Sequence, residues 1–366
     1  MLRVIGINLA VLAAVIVLVE LAFGTWFSDV HALHQFTMPR DLRIERDNPL
    51  SDTPPSIVYS RDANGLRGLD GPVSDIDILT VGGSTTDQRF LDDSQTYQAS
   101  LAQMFTQAGQ SIAIANAGID GQSTFGHIEN FTSWFSKIDG LQARYITFLV
   151  GVNDALILNE NNDYDSVQAQ GRRLRLQLYI REKSALYQLY LIGKGAFLTP
   201  NITHTQSLDN FAVGSDLVRD PLLPASTFKQ VETEAALMAL TDRIETLADL
   251  SRKMGAIPVF VTQRSTAWTR RDGEILGVAQ IGEGFHSGLT ARYGPMNGID
   301  MYRIERAVAD AIMAGCKATT SVCFDMMADL DFDLRSDFYD AVHTTAAGSA
   351  KIAAYLFGRF QALEGF

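Results

Sequence analysis

The sequence predicts an α/β protein: a parallel β-sheet covered by helices on both faces, preceded by one helix of membrane-spanning length. Three observations predict it. Short β-branched apolar runs recur along the chain. Stretches of helical spacing stand between them. The N-terminus opens on an unbroken apolar segment, residues 4–23 (VIGINLAVLAAVIVLVELAF).

That segment comes first. It carries no Lys or Arg, and its polar residues are Asn8 and Glu20. About 20 apolar residues suffice to cross a hydrocarbon core of roughly 30 Å. Arg3 precedes the run and Arg40 and Arg43 lie well beyond it, which favours an N-terminus inside. A cleaved signal peptide is the rival reading, but the run is long for one and Leu21-Ala22-Phe23-Gly24 is a poor cleavage site. The expectation is an uncleaved single-pass anchor over 1–24, with the rest of the chain outside the cytoplasm; for a Gram-negative source that is the periplasm. Residues 25–70 read as a connector, with Pro39, Pro54 and Pro55 among charged residues.

The α/β rhythm then begins. The run 76–81 (IDILTV) reads as a strand ended by Gly82-Gly83-Ser84. Residues 96–108 follow with helical spacing. The run 112–115 (IAIA) is a second strand, ended by Asn116-Ala117-Gly118, and 125–138 a second helix. A third strand, 145–150 (YITFLV), ends in Gly151-Val152-Asn153-Asp154. Residues 235–254 form a strong helix, 257–262 (IPVFVT) a fourth strand, 322–325 a fifth, and 346–363 a closing helix. Apolar strands alternating with helices make a parallel sheet buried on both faces, and such sheets hold their ligands at the carboxyl ends of the strands. Two insertions interrupt the rhythm. One is 155–230, with a basic stretch at 171–183 (GRRLRLQLYIREK) that reads as a solvated amphipathic crossover or as a contact with anionic lipid or glycan. The other is 263–300, rich in Gly and aromatics, which reads as a loop over the site.

Composition narrows the function. Of 366 residues 46% are hydrophobic, enough for a globular core and too many for wholesale disorder. Lys and Arg total 30 against 42 Asp and Glu, so the formal net charge is −12. Nucleic-acid binders need the opposite sign. Arg3 and Glu20 cancel, so the acidity belongs to the part beyond the anchor, which suits neutral or cationic partners better than polyanions. Cys316 and Cys323 are the only two cysteines. In an oxidising compartment this near pair is expected as a disulfide closing a short loop, with two buried thiols as the alternative; zinc is a poor third.

The strand ends carry the chemistry. Ser84 follows two glycines that let the backbone turn and leave the hydroxyl uncovered. Asp340 stands three residues before His343, within one turn, where it can orient the imidazole through Nδ1. The His can then take a proton from a serine hydroxyl. The Asn153 amide and backbone N–H groups can hold an oxyanion. Asp154 and Asp87 read as caps of the helices they begin. His31, His34, His127, His204 and His286 show no HxxxH or HExxH spacing, so no metal site is expected.

Taken together these blocks resemble the SGNH (GDSL-type) hydrolase family: Gly82-Gly83-Ser84-Thr85-Thr86, then Gly121 in NAGIDG, then Gly151-Val152-Asn153-Asp154, then Asp340 to His343. Their order and approximate spacing agree over roughly 75–363. The resemblance implies a flavodoxin-like three-layer α/β/α fold over 71–366. It also implies Ser84 as nucleophile, His343 as base with Asp340 as its partner, and an oxyanion hole from the Ser84 and Gly121 N–H groups and the Asn153 amide. The anchor ending in Glu20 and the NGLRG stretch (64–68) are similar to membrane-anchored bacterial members. One departure stands out: the Asp usual before the nucleophile is Gly83 here, which leaves the loop less polar support. The implied activity is hydrolysis of carbohydrate or lipid acyl esters with no metal or organic cofactor. O-acyl transfer to an envelope polysaccharide uses the same residues, and a non-catalytic envelope assembly or binding protein would keep the fold.

Overall fold

A computed structural model of the chain describes residues 2–27, 40–48, 50, 54–157, 176, 179–180, 183–190, 217–232, 235–281, 287–364 and 366. The chain divides into two units. The larger holds residues 40–129, 138–161 and 204–366; the smaller holds 1–39, 130–137 and 162–203.

In chain order the elements begin with α1 (Leu2–Phe23), β1 (Leu42–Asp47), β2 (Ser56–Arg61), β3 (Ile76–Gly82) and the single turn α2 (Ser84–Asp87). Next come α3 (Tyr97–Gln107), β4 (Ile114–Gly118), α4 (Thr124–Ser133), β5 (Ala143–Val150) and α5 (Val152–Ile157). After these stand β6 (Leu217–Val218), α6 (Ala225–Glu232), α7 (Ala235–Lys253), β7 (Ile257–Thr262), β8 (Trp268–Arg271) and β9 (Glu274–Val278). The chain closes with α8 (Ser287–Tyr293), α9 (Gly298–Ala318), β10 (Val322–Phe324), α10 (Met326–Asp329) and α11 (Ala346–Gln361).

The central sheet of the larger unit is parallel throughout, in the order β10-β7-β5-β3-β4. Counted along the chain this is the flavodoxin-like order 2-1-3-4-5, with its switch point between β3 and β5. One face of the sheet (Ile78, Tyr145, Leu149, Val259, Val261) packs with Leu101 and Phe105 of α3 and Ile352, Leu356 and Phe360 of α11. Alternation by two puts Ile146, Phe148 and Phe260 on the other face, where the Phe148 and Phe260 rings stack at 5.1 Å. Helices α7 and α9 meet β7 on that side. A sheet covered on both sides reads as continuous apolar strands, which is how these four runs read. α1 is long and apolar enough to cross a membrane by length and composition, and its apolar side chains are exposed.

Three expectations need correction. The connector expected over 25–70 is ordered structure in its described second half: β1 and β2 form an antiparallel hairpin from Leu42↔Arg61 to Asp47↔Ser56. Residue 67 then pairs with Asn116 of β4 through both backbone bonds. Its alternation was hidden because an inward position of β2 is Arg61, a charge compensated by Asp87. The loop expected over 263–300 instead holds the β8–β9 hairpin and the start of α9. Its turn is Asp272-Gly273 with φ of 51° and 81°, the left-handed pair that a two-residue hairpin requires. Last, the described residues between 162 and 203 (176, 179–180 and 183–190) group with the N-terminal segment, not with the unit that holds the sheet.

Cys316, in the last turn of α9, is joined to Cys323 of β10 by a disulfide.

Candidate active site

The candidate site lies where β3, β4 and β5 end. β3 closes on Gly82, and Gly83 is the N-cap of α2, which puts Ser84 at the first helical position, half-buried. Ser84 Oγ lies 2.7 Å from His343 Nε2. On the far side of the ring, Nδ1 lies 2.7 Å from Asp340 Oδ2 and 2.9 Å from Oδ1. The Asp340 carboxylate also accepts the Val342 N–H at 3.0 Å and the His343 N–H at 2.8 Å. It therefore fixes both the ring and the backbone that carries it. A carboxylate at Nδ1 assigns the proton to that nitrogen and leaves Nε2 free to accept from a hydroxyl. Burial would raise the Asp340 carboxyl, but the hydrogen bond and charge of His343 and the two backbone N–H groups outweigh it and hold it below the usual range.

The His343 ring is also covered on one face. Tyr339 stacks on it at 5.6 Å and 9° between planes, and Phe90 meets Tyr339 edge-on at 6.1 Å. Burial first, then the negative charge of Asp340, pushes the Tyr339 phenol well above its ordinary value, so it stays protonated.

Asn153 is the second residue of α5, and its Nδ2 donates to Gln122 O at 2.7 Å. An amide nitrogen has two N–H groups, so one remains for another acceptor. A methyl group placed on Gly83 would lie 2.3 Å from that Nδ2 and 2.9 Å from Gln122 O. The backbone at Gly83 (φ −84°) would suit any residue, so space, not conformation, asks for glycine. The Asp usual at this position in the resembled family would push the Asn153 amide away. Gly121, beside Gln122, sits in an exposed turn at φ +75°. Ser84, His343 and Asp340 thus form one hydrogen-bonded chain, and the Asn153 amide packs against the residue before Ser84.

The loop after Ser84 has polar support from a source other than residue 83. Arg67, fully buried, donates to the carbonyls of Asp87, Gln88 and Leu91 and to Asp93 Oδ1. The NGLRG stretch therefore clamps the loop that follows Ser84. Asp87 does not cap α2. It is buried and bonded to Arg61 at 2.7 Å and to Tyr59 Oη at 2.9 Å. Asp154, in the first turn of α5, does accept the N–H of Gly151 just before that helix, as a cap would. It also accepts the Thr124 N–H at 3.2 Å and the Thr124 hydroxyl at 2.6 Å, at the start of α4. Burial raises its carboxyl against the pull of Thr124 and Arg243.

Two glutamines were invisible in the sequence because their partners are remote. Gln263 donates to Thr85 Oγ1 at 2.6 Å and accepts the Val152 N–H at 3.3 Å, which joins the Ser84 and Asn153 loops. Gln88 reaches Thr344, the residue after His343. His127 is fully buried, which pushes its pKa down to about 3 and keeps it neutral. His31, His34, His204 and His286 lie outside the described residues. Among the described residues no group of three His, Cys, Asp or Glu side chains could hold a metal ion.

No protein-family model matches the chain, and no curated protein matches it. Solved structures similar to it include TesA, at 13% identity and a TM-score of 0.40 over 78% of this chain and 98% of that one. An acetylxylan esterase from Geobacillus stearothermophilus follows at 11% identity and TM-score 0.40, over 78% of this chain and 93% of that one. The psychrotrophic esterase EstA from Pseudoalteromonas sp. follows at 11% identity and TM-score 0.40, over 78% and 97%.

Proposed function

We propose that the chain is a serine-dependent ester hydrolase of the SGNH (GDSL) type that works through an acyl-enzyme outside the cytoplasm. The observation that carries the reading is the continuous relay from Asp340 through His343 to Ser84, with 2.7 Å at each link. In it, Ser84 Oγ attacks the ester carbonyl while its proton passes to His343 Nε2. The developing oxyanion is received by the Ser84 and Gly121 N–H groups and the second N–H of Asn153. His343 then gives the proton to the leaving alcohol, the C–O bond breaks, and Ser84 is left acylated. Water attacks the acyl carbon, His343 takes its proton, and Ser84 leaves with that proton restored. Asp340 holds the tautomer and balances the imidazolium. General-base catalysis supplies about 10²–10⁴ in rate and each oxyanion donor about 10²–10³. The route needs no metal or organic cofactor.

Two features support an extracytoplasmic site. The apolar 4–23 segment suits a membrane anchor, and a disulfide persists in an oxidising compartment. A chain of this kind takes carbohydrate or lipid acyl esters as substrate. A fluorophosphonate probe tests the reading: it should label Ser84, and Ser84→Ala should abolish labelling. A folded wild-type protein that takes no label and hydrolyses no aryl ester would overturn it.

A further inference from the structure

The smaller unit holds a polar contact with a consequence for the membrane. Glu20 lies in the last turn of α1, three residues before Phe23. Its carboxylate accepts from Ser184 Oγ at 2.6 Å and from the Ala185 N–H at 2.9 Å. It also accepts from the Leu186 N–H at 3.3 Å and Trp26 Nε1 at 2.8 Å. The Thr25 N–H donates to Lys183 O at 3.0 Å, and the Trp26 and Tyr179 rings meet edge-on at 6.1 Å. Residues 185–190 are helical, and Ser184 Oγ accepts the Tyr187 N–H at 3.2 Å. Glu20 and Ser184 together therefore satisfy the first N–H groups of that helix, which no carbonyl can reach.

This contact fixes a depth. A helix rises about 1.5 Å per residue, so Glu20 stands roughly 4.5 Å from the end of α1. A carboxylate there would be costly in hydrocarbon unless it is hydrogen-bonded. The residues bonded to it must share its level. Along the same segment large apolar side chains are exposed: Leu176, Tyr179, Ile180, Leu186, Leu189 and Tyr190, the last 60% exposed. Phe27, just past α1, is 88% exposed. In water such a cluster is unfavourable; at a bilayer boundary it is buried, with the aromatic rings at headgroup level. The sequence also supplies charge. Between 171 and 183 stand Arg172, Arg173, Arg175, Arg181 and Lys183 against Glu182 alone.

We propose that Leu176, Tyr179, Ile180 and residues 183–190 lie in the headgroup–acyl boundary of the bilayer that α1 crosses and bind anionic phospholipid there, pinned to the end of α1 by Glu20. This rests on α1 as an anchor. It makes these residues a second membrane contact, with buried apolar area and headgroup charge acting together.

The test uses the full chain in vesicles of phosphatidylcholine with phosphatidylglycerol. Both native cysteines are in the disulfide, so an added cysteine takes an environment-sensitive fluorophore alone. Leu189→Cys is the test position, Tyr190→Cys a second one, and Leu12→Cys the reference within α1; all three native side chains are exposed. A spin label near the glycerol backbone should quench the probe at 189 and at 190 about two-fold more than a spin label deep in the acyl chains, with the reverse order at 12. Omitting phosphatidylglycerol should weaken quenching at 189 and 190 but not at 12. If 12 is quenched by the deep label and neither 189 nor 190 by either label, the segment lies off the membrane and the inference fails while the anchor stands. If 12 is not quenched, the anchor reading fails and takes the inference with it.

Discussion

Gln88 Nε2 donates to Thr344 Oγ1 over 3.0 Å and to Ser349 Oγ over 2.6 Å, while its Oε1 accepts the Tyr97 N–H at 2.8 Å. One buried amide thus ties the loop of Ser84 to the loop of His343. Gln88→Leu leaves the Tyr97 N–H without its partner and the two hydroxyls with only each other. A buried polar group left unpaired costs about 1–3 kcal/mol. Urea denaturation should show a loss of about 2 kcal/mol. Ester hydrolysis should fall about ten-fold in kcat with KM little changed, as expected when two groups lose alignment. An unchanged kcat would show that the bond supports the fold and not the relay.

Gly83→Ala tests the packing of Asn153. The added methyl would lie 2.3 Å from Asn153 Nδ2, so the amide must move. The fold has no backbone reason to object, and the denaturation midpoint should change little. Loss of one oxyanion donor costs about 10²–10³ in kcat. The double variant Gly83→Ala/Asn153→Ala should be no slower than Asn153→Ala alone, because the two changes remove the same proposed oxyanion donor. Additive losses would mean that Gly83 acts by another route.

The parts of this site that were legible in the sequence are those whose signal is local. Asp340 and His343 are three residues apart, Ser84 follows its glycines directly, and β3, β5 and β7 are apolar along their length because helices cover both faces. What was not legible depends on distance or on charge in an inward position. Gln88 and Thr344 are 256 positions apart. Arg61 and Arg67 are buried and compensated by Asp87 and by carbonyls, so a segment that packs like a strand reads as a polar connector. α9 did carry a signal, its capping box of Asn297 and Asp300 with Ile304, Val308 and Ile312 at four-residue spacing. Asp300 and Glu305, both buried, obscure its apolar face.

Asp340→Asn separates orientation from mere presence of a hydrogen bond. An asparagine turns an N–H toward Nδ1 when its oxygen serves the backbone N–H groups of Val342 and His343. The imidazole then carries its proton on Nε2 and cannot take one from Ser84. The expected loss is about 10⁴ in kcat with the fold intact, the size seen when a serine triad loses its tautomer. Fluorophosphonate labelling should slow in parallel. A loss below ten-fold would remove Asp340 from the relay.

Buried His127 sets an acid limit on stability. Its folded pKa is about 3 against 6.5 for the free side chain. Below pH 6.5 the unfolded chain binds a proton that the folded one refuses, so stability falls as pH falls through that window. The slope is at most about 1.4 kcal/mol per pH unit. Asp154 and Glu305, raised by burial, act in the opposite sense, since they lose stability as pH rises through their folded values. Comparison of wild type with His127→Gln isolates the histidine: the difference in unfolding free energy should shrink or reverse between pH 7 and pH 4. A constant difference would place a charged histidine in the folded state.

The disulfide closes a loop with a sequence separation of 7, from the last turn of α9 to β10 at the edge of the sheet. The chain-entropy relation puts its effect on the unfolded state at about 2.5 kcal/mol for a loop this short. It staples the strand that pairs with β7 to the helix that covers the same sheet, so its loss frees β10 first. Cys316→Ser/Cys323→Ser should lower the unfolding free energy by about 2 kcal/mol and raise amide exchange at residues 322–324 ahead of β5. Ser84 labelling should persist under conditions where both forms stay folded, because the relay draws no residue from β10. Equal exchange along β10 and β5 would mean that the sheet opens as one unit and that the disulfide guards no local edge.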